Sequence, residues 1–420
     1  MVPCQIYDKW IYDNVHGYIG VTSLERKIID TRIFQRLRRI SHLGLASFVY
    51  PGATQTRFAH SLGALFVMQK MCENLIPQGH VKNEDLPILR LAALLHDVGH
   101  YPFSHVIERL LSQSDARGKH VNFGITLIKK SEIGQILSEN GIQPSDIEKL
   151  LLKKKEPEYP VYSYLLDSDL DVDKIDYLLR DSLHTGVAYG QVDADRLIRT
   201  VTVDDEGMLA IREKGKQAVE NLMIARYHMY QCIYFHKVVA AFELMLRKVY
   251  EELLEEKKVF TLEELLEKTE ENQAEICDYD DSYVLQAMKN YQGNNTFLKD
   301  LINMIWSREP LCKICEEPAL TEEKNRANIL SLLEINEQKD LIAKKAGVYS
   351  KWIFPAKVYP IEFSESPIKV EKDGKFIPLN EDETSIVKIL AKHSYTSYRI
   401  YSKEEYQENI RKAIKECLGV

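Results

Sequence analysis

An apolar run from Ile88 to Leu95 ends in an adjacent imidazole and carboxylate, His96-Asp97, followed by Val98-Gly99-His100. Both side chains suit a divalent cation such as Mn, Fe, Zn or Mg. Alone, the dipeptide also fits an ordinary helix C-terminus. It gains meaning from two further residues. His60 lies in Arg57-Phe58-Ala59-His60-Ser61-Leu62-Gly63, on an expected earlier helix, and Asp173 lies in Asp171-Val172-Asp173-Lys174-Ile175-Asp176-Tyr177, on a later one. Three helices can aim ligands at one point, as bundle metal sites do. A mainly α fold is therefore expected, with one divalent ion on His60, His96, Asp97 and Asp173.

The pattern along the chain supports that class. Residues 5–20 are β-prone, and Ser23 to Arg39 has helical spacing with Ser23 as a plausible N-cap. Arg57 to Leu75 predicts a second helix, and Asp85-Leu86-Pro87 a helix start. A helical pattern returns from Asp171 to Leu183. Residues 200–213 predict a hairpin, Lys216 to Glu256 a long helix, and 262–340 further helical character. After Gly347, short runs at Tyr349–Phe363, Ile368–Val370, Phe376–Ile377 and Tyr398–Tyr401 predict strands. The expected division is an N-terminal segment 1–45, a helical core 46–190, a helical extension 191–344 that completes the active site, and a small α+β lobe 345–420.

Several function classes fall away. Asp167 to Asp176 holds five aspartates, but Val172 and Leu178 stand where a calcium loop needs Gly and Glu. The sequence contains neither a Walker A loop nor HExxH. A net charge of −8 argues against a nucleic-acid coat, although local cations can still bind phosphate. The seven cysteines are scattered, and Cys312/Cys315 is a lone CxxC without nearby partners for zinc. No apolar run is long enough to span a bilayer, and the N-terminus lacks a signal-peptide pattern. A cytoplasmic protein without membrane or nucleic-acid partners is expected.

The order H…HD…D, with its flanks, resembles the HD-domain deoxynucleoside triphosphate triphosphohydrolases, the sterile-alpha-motif-containing vertebrate enzyme and its bacterial relatives. The matching residues are Asp30-Thr31, Phe34 to Arg38, Tyr50 to Ala53, Arg57-Phe58-x-His60-Ser61-Leu62-Gly63, His96-Asp97-x-Gly99-His100-x-Pro102-Phe103-Ser104-His105 and Asp171-Val172-Asp173-Lys174-x-Asp176-Tyr177. They span about residues 8–240. The resemblance implies an HD-domain helical core, here without a sterile-alpha-motif domain, that hydrolyses a dNTP to nucleoside and triphosphate. It implies His105 as general acid oriented by Glu108, with His100 and His120 at the α-phosphate. Arg57, Lys174 and Arg226 would hold the phosphates, accompanied by a second Mg ion. Tyr177, Asp181, Tyr234, His42 and Leu43 would surround the sugar. Lys9, Asp30, Gln35 and Arg38 match an allosteric site for an activating GTP or dNTP, which implies a homo-oligomer, dimer or tetramer.

The departures are informative. His42 replaces the family's sugar-binding Gln, Phe235 another Gln, Val121 an acidic residue and Tyr12 an Asn. An imidazole at 42 is expected to alter sugar recognition or make it pH-dependent, because it ordinarily titrates near neutrality. Two other readings stand beside the dNTPase. One is an HD phosphohydrolase acting on a ribonucleotide, a monophosphate or a cyclic dinucleotide. The other is a catalytically idle nucleotide sensor, against which the intact ligand set argues.

Overall fold

The computed structural model describes residues 6–113, 115–152, 160–271, 273–322, 335–358, 368–391 and 393–418. The chain is mainly helical and forms two compact units. The first comprises Met1–Met229, Tyr250–Gly293 and Pro367–Pro378, and the second Tyr230–Val249, Asn294–Ser366 and Leu379–Val420.

The first unit opens with an antiparallel hairpin, Lys9–Asp13 against Gly17–Val21. Its turn is closed by Asp13, whose Oδ1 accepts the amides of Val15 and His16, both at 2.9 Å. The helix expected from Ser23 to Arg39 is broken. Thr22, not Ser23, caps Ser23–Ile29, in a capping box with Glu25. Thr31 then caps a separate turn, Arg32–Gln35, which continues as a 3-10 turn over Arg36–Arg39. The Thr31 hydroxyl donates to the Ile28 carbonyl and accepts the Phe34 amide, so one side chain ends the first helix and starts the next.

Arg57–Leu75 is the central helix of this unit and is buried along most of its length. Leu86–Leu95 packs on it, with Pro87 in its first turn. Asp85 makes no capping bond; its carboxylate instead accepts the Tyr162 hydroxyl at 2.7 Å. Val172–Thr185 also packs on the central helix. Asp171 caps it through the Lys174 amide at 2.7 Å, and Gly186, at φ +77°, ends it.

The expected hairpin forms as Val201–Val203 and Leu209–Arg212. Lys369–Lys372 extends it in parallel, and Lys375–Pro378 completes the sheet. The helix expected from Lys216 to Glu256 is interrupted: Lys216–Met229 gives way to a π-helical turn at Tyr230–Tyr234, and Lys237–Glu255 follows.

In the second unit, His393–Ser402 is the middle strand between Cys312–Glu322 and Phe354–Val358. Cys312–Glu322 corrects the helical expectation for 262–340. Ile314 packs with Ile400, Ile410 and Ile342 in a core shared with the helices Ile335–Ala346 and Gln407–Leu418, and that burial overrides local preference. Residues 359–363 of the expected Tyr349–Phe363 strand lie outside the described residues.

Gly63 lets the central helix and Val172–Thr185 meet. A Cβ on Gly63 would sit 1.8 Å from Asp176 Oδ1 and 2.5 Å from an Arg180 guanidinium nitrogen. Ala ordinarily stabilises a helix by about 1 kcal/mol relative to Gly. Gly63→Ala is instead expected to destabilise by about 1–3 kcal/mol, as overpacking does. Urea unfolding measures this, and an unchanged or raised midpoint would show that the two helices separate freely.

Candidate metal centre and active site

The central helix turns His60 fully inward. Its Nδ1 lies 2.7 Å from Asp176 Oδ2. Asp176 also receives His16 Nε2 at 2.7 Å and the Arg180 Nε and Nη2 groups at 2.9 and 3.0 Å. Arg180 reaches on to Asp13 at 2.9 Å. Burial opposes ionisation of Asp176, but Arg180 and the two histidines hold its carboxyl well below the usual range. An ionised carboxylate only accepts hydrogen bonds, so His60 Nδ1 carries the proton. Its Nε2 then faces His96 Nε2 at 3.2 Å, Asp173 Oδ1 at 2.9 Å and Asp97 Oδ2 at 3.7 Å.

His96 is fixed in the same way. Its Nδ1 donates to the Ala93 carbonyl at 2.7 Å, which turns Nε2 inward. His60, His96 and Asp97 offer donor atoms within 4.8 Å of one another, and Asp173 Oδ1 lies 3.8 Å from His96 Nε2. Neighbouring donors around an ion with bonds near 2.1 Å stand about 3.0–3.4 Å apart, so the spacing fits. The electrostatics fit as well. Burial disfavours a charged His60, yet hydrogen bonds to Asp173 and Asp176 raise its pKa to about 10. The cluster demands positive charge at Nε2, and a divalent ion with nitrogen and oxygen ligands meets that demand.

A second histidine group adjoins the first. Glu108 accepts His105 Nδ1 at 2.6 Å on one oxygen and His120 Nδ1 at 2.7 Å on the other. Burial again opposes ionisation, but these two bonds hold the Glu108 carboxyl below its ordinary range. The Nε2 atoms of both rings are left pointing away from the carboxylate. Donors of His100, His105, Glu108 and His120 also lie within 4.8 Å of one another. However, the His100 and His120 rings stack at 4.1 Å and 13°, so their in-plane lone pairs run parallel and do not meet at one ion. This geometry suits proton handling. His100 joins the two groups through Nε2 to Asp97 Oδ1 at 3.1 Å. Burial, then Arg57, pushes His100 well below its ordinary pKa. Neutral His100 therefore spends its one N–H on Asp97.

Arg57 binds Asp97 Oδ2 at 2.5 Å and Ser104 Oγ at 2.9 Å. His42 lies 4.6 Å from His60, ring to ring, and its Nε2 lies 3.6 Å from Asp181 Oδ1. Burial, then Arg57 and His60, hold His42 well below its ordinary pKa. The expected titration near neutrality thus gives way to a neutral ring. Leu43 and Tyr177 are half-buried. Lys174 Nζ is held by Asp171 at 2.8 Å and Arg226 by Asp169 at 2.7 Å. Tyr234 belongs to the second unit, on the π-helical turn. Gln35 and Arg38 bond each other at 2.7 Å, while Lys9 and Asp30 are exposed.

Sequence reasoning missed Asp176, Arg180, Asp13, His16 and Gln55. Asp176 stands in a motif already quoted, and its spacing of three from Asp173 was an available signal. Arg180 is fully buried in the ion-pair network. Gln55 donates from Nε2 to Asp181 at 2.8 Å. Among the described residues, its Oε1 and His42 Nδ1 are buried and have no hydrogen-bond partner.

Residues 57–181 match the HD domain and residues 192–420 the HD-associated region. An uncharacterized protein of Methanocaldococcus jannaschii is 37% identical over 254 residues, covering 60% of this chain and 51% of that one. The human deoxynucleoside triphosphate triphosphohydrolase SAMHD1 is 30% identical over 276 residues, covering 58% and 44%. The chain thus spans about half the length of the curated relatives it matches. A crystal structure of a phosphohydrolase from Bacteroides thetaiotaomicron superposes with a TM-score of 0.73 at 27% identity, covering 94% of this chain and all of that one. The paired histidine groups therefore sit in a protein of the HD phosphohydrolase family, and the chain belongs to it as an HD domain followed by its HD-associated region.

Proposed function

We propose that the protein hydrolyses a dNTP to deoxynucleoside and triphosphate. The observation that carries this reading is the bridge from His60, His96, Asp97 and Asp173 through His100 to the Glu108-oriented imidazoles. It sets a cation-binding group beside a proton-donating group, the two requirements for breaking a phosphate–alkoxide bond.

When bound, a divalent ion supplies Lewis acidity and charge neutralisation at the scissile phosphate. The chain's own residues do the rest. A water oxygen bonds to the α-phosphorus, its surplus proton passing to solvent, and the bond to the sugar O5′ breaks. The electron pair moves onto O5′, which takes a proton from His105 Nε2. Burial lowers the pKa of that ring, which makes it a readier proton donor, while Glu108 holds its Nδ1–H, opposes the shift and keeps Nε2 aimed. His120, oriented by the same carboxylate, donates to a phosphate oxygen. Arg57, Lys174 and Arg226 add positive charge along the phosphates, a second Mg ion travelling with the nucleotide. The 191–344 extension contributes Arg226, and Tyr177 and Leu43 stand at the sugar. Gln55 Oε1 and His42 Nδ1 beside Asp181 accept hydrogen bonds from sugar hydroxyls. Lys9, Asp30, Gln35 and Arg38 are read as a regulatory nucleotide site that drives homo-oligomer assembly.

Metal-loaded protein incubated with a nucleotide panel should release nucleoside and triphosphate in equal amounts. Pyrophosphate or phosphate as the primary product would replace this reading with another nucleotide hydrolase. His105→Gln should lower kcat by about 10²- to 10⁴-fold, the usual contribution of a positioned acid, with metal content unchanged.

Asp173→Ala should lose most metal and activity while keeping its helical circular dichroism. Full metal occupancy in that variant would remove Asp173 from the ligand set. Asp176→Asn, which loses the ionised partner of His60, should weaken metal affinity about 10- to 100-fold, measured by competition with a chelating dye.

A further inference from the structure

Phe103 and Ser104, immediately before His105, both have positive φ, 53° and 54°. Two consecutive non-glycine residues in that region are strained and persist only where the surroundings hold them. The holding group comes from far along the chain. Asp281, the first residue of the Asp281–Lys289 helix, accepts the Phe103 amide on Oδ1 at 2.6 Å and the Ser41 amide on Oδ2 at 2.9 Å. Ser104 Oγ closes the ring by donating to the Ser41 carbonyl at 2.9 Å and accepting Arg57 Nε at 2.9 Å. One buried carboxylate thus ties the loop that leads into His42 to the turn that leads into His105.

We propose that Asp281 is a positioning residue for the proton donor: by clamping the strained Phe103–Ser104 turn to Ser41, it fixes the direction of His105. The proposal rests on His105 acting as the acid in the reading above. Asp281 lies outside the residues that match the HD domain, within the HD-associated region, so that region supplies a support of the active site. Burial raises the Asp281 carboxyl to about 6 while the two amides favour its ionised form; at neutral pH it is charged and accepts both bonds. Its hydrogen bonds among the described residues go to Phe103 and Ser41 and not to the four candidate metal ligands, so metal content is expected to hold when it is replaced.

The decisive comparison uses leaving groups. The alkoxide of a nucleotide needs a proton from the enzyme, whereas p-nitrophenolate leaves without one. The full-length protein, its Asp281→Asn and Asp281→Ala variants, and His105→Gln are assayed with dATP and with bis(p-nitrophenyl) phosphate. Metal content and thermal melting are recorded for each. Asp281→Ala should lose about 10- to 100-fold in kcat on dATP, as a misplacement near 1 Å does. Its loss on the activated ester should be much smaller, and KM for dATP and metal content should hold. Asp281→Asn keeps one acceptor and should fall between Asp281→Ala and the native protein. Equal losses on both substrates, or a lowered melting temperature with native kcat per metal-loaded site, would reduce Asp281 to a structural residue and overturn the proposal. Backbone amide exchange gives a readout independent of turnover. Phe103 and Ser41 should exchange at least about tenfold faster in Asp281→Ala, the effect of losing a bond worth about 1.4 kcal/mol, and unchanged protection would also overturn it. A native protein that hydrolyses only the activated ester would count against the dNTP reading, leaving the exchange result to judge the clamp.

Discussion

A carboxylate taken out of water is tolerated only when its charge is matched and its lone pairs are filled. Asp176 is fully buried and meets that condition with His16, His60 and both arms of Arg180. The N-terminal hairpin, the central helix and the Val172–Thr185 helix all send a side chain to it, so the position of each is set by the same requirement. Asp13 extends the set by binding Arg180 and closing the hairpin turn. Gly63 supplies the space in which the network sits. The orientation of His60 is one consequence of this packing, which means that the geometry of the candidate metal centre is inherited from the core beneath it.

The two histidine groups use carboxylates in opposite ways. Around His60 and His96, backbone and carboxylate partners occupy Nδ1, and the free Nε2 atoms crowd against Asp97 and Asp173 until positive charge is required between them. Around Glu108, one carboxylate serves two Nδ1 donors and leaves their Nε2 atoms apart. The first arrangement can hold a cation. The second orients two imidazole rings through their Nδ1 atoms. Their link through His100 is made with a neutral ring, which carries orientation between them without adding charge.

The site also depends on elements beyond the HD domain itself. Asp13 and His16 come before residue 57, the first that matches the domain, and Asp281 comes a hundred residues after the last. The candidate site in this HD-family chain is thus more than its short ligand motif. The motif provides donors, and the flanking segments determine where those donors point.

The sequence by itself determined the donors and their carriers. His60, His96, Asp97 and Asp173 were legible as candidate donors because ligand chemistry is written in residue types, and helical periodicity put His60 and Asp173 on separate helices, with His96-Asp97 at the end of a third. The mainly α class and the 201–212 hairpin followed from the same local patterns. Only the tertiary structure decided what local pattern does not encode. Thr31 breaks a helix that periodicity would continue, because its hydroxyl bonds both sides of the break. Cys312–Glu322 is a strand because its pairing and its core lie some eighty residues further on. His42 is neutral because burial outweighs the ordinary titration of imidazole. Asp13 and Arg180 are 167 positions apart, and no spacing rule reaches that far. Buried charges choose partners by distance in space, and that distance exists only once the chain has folded.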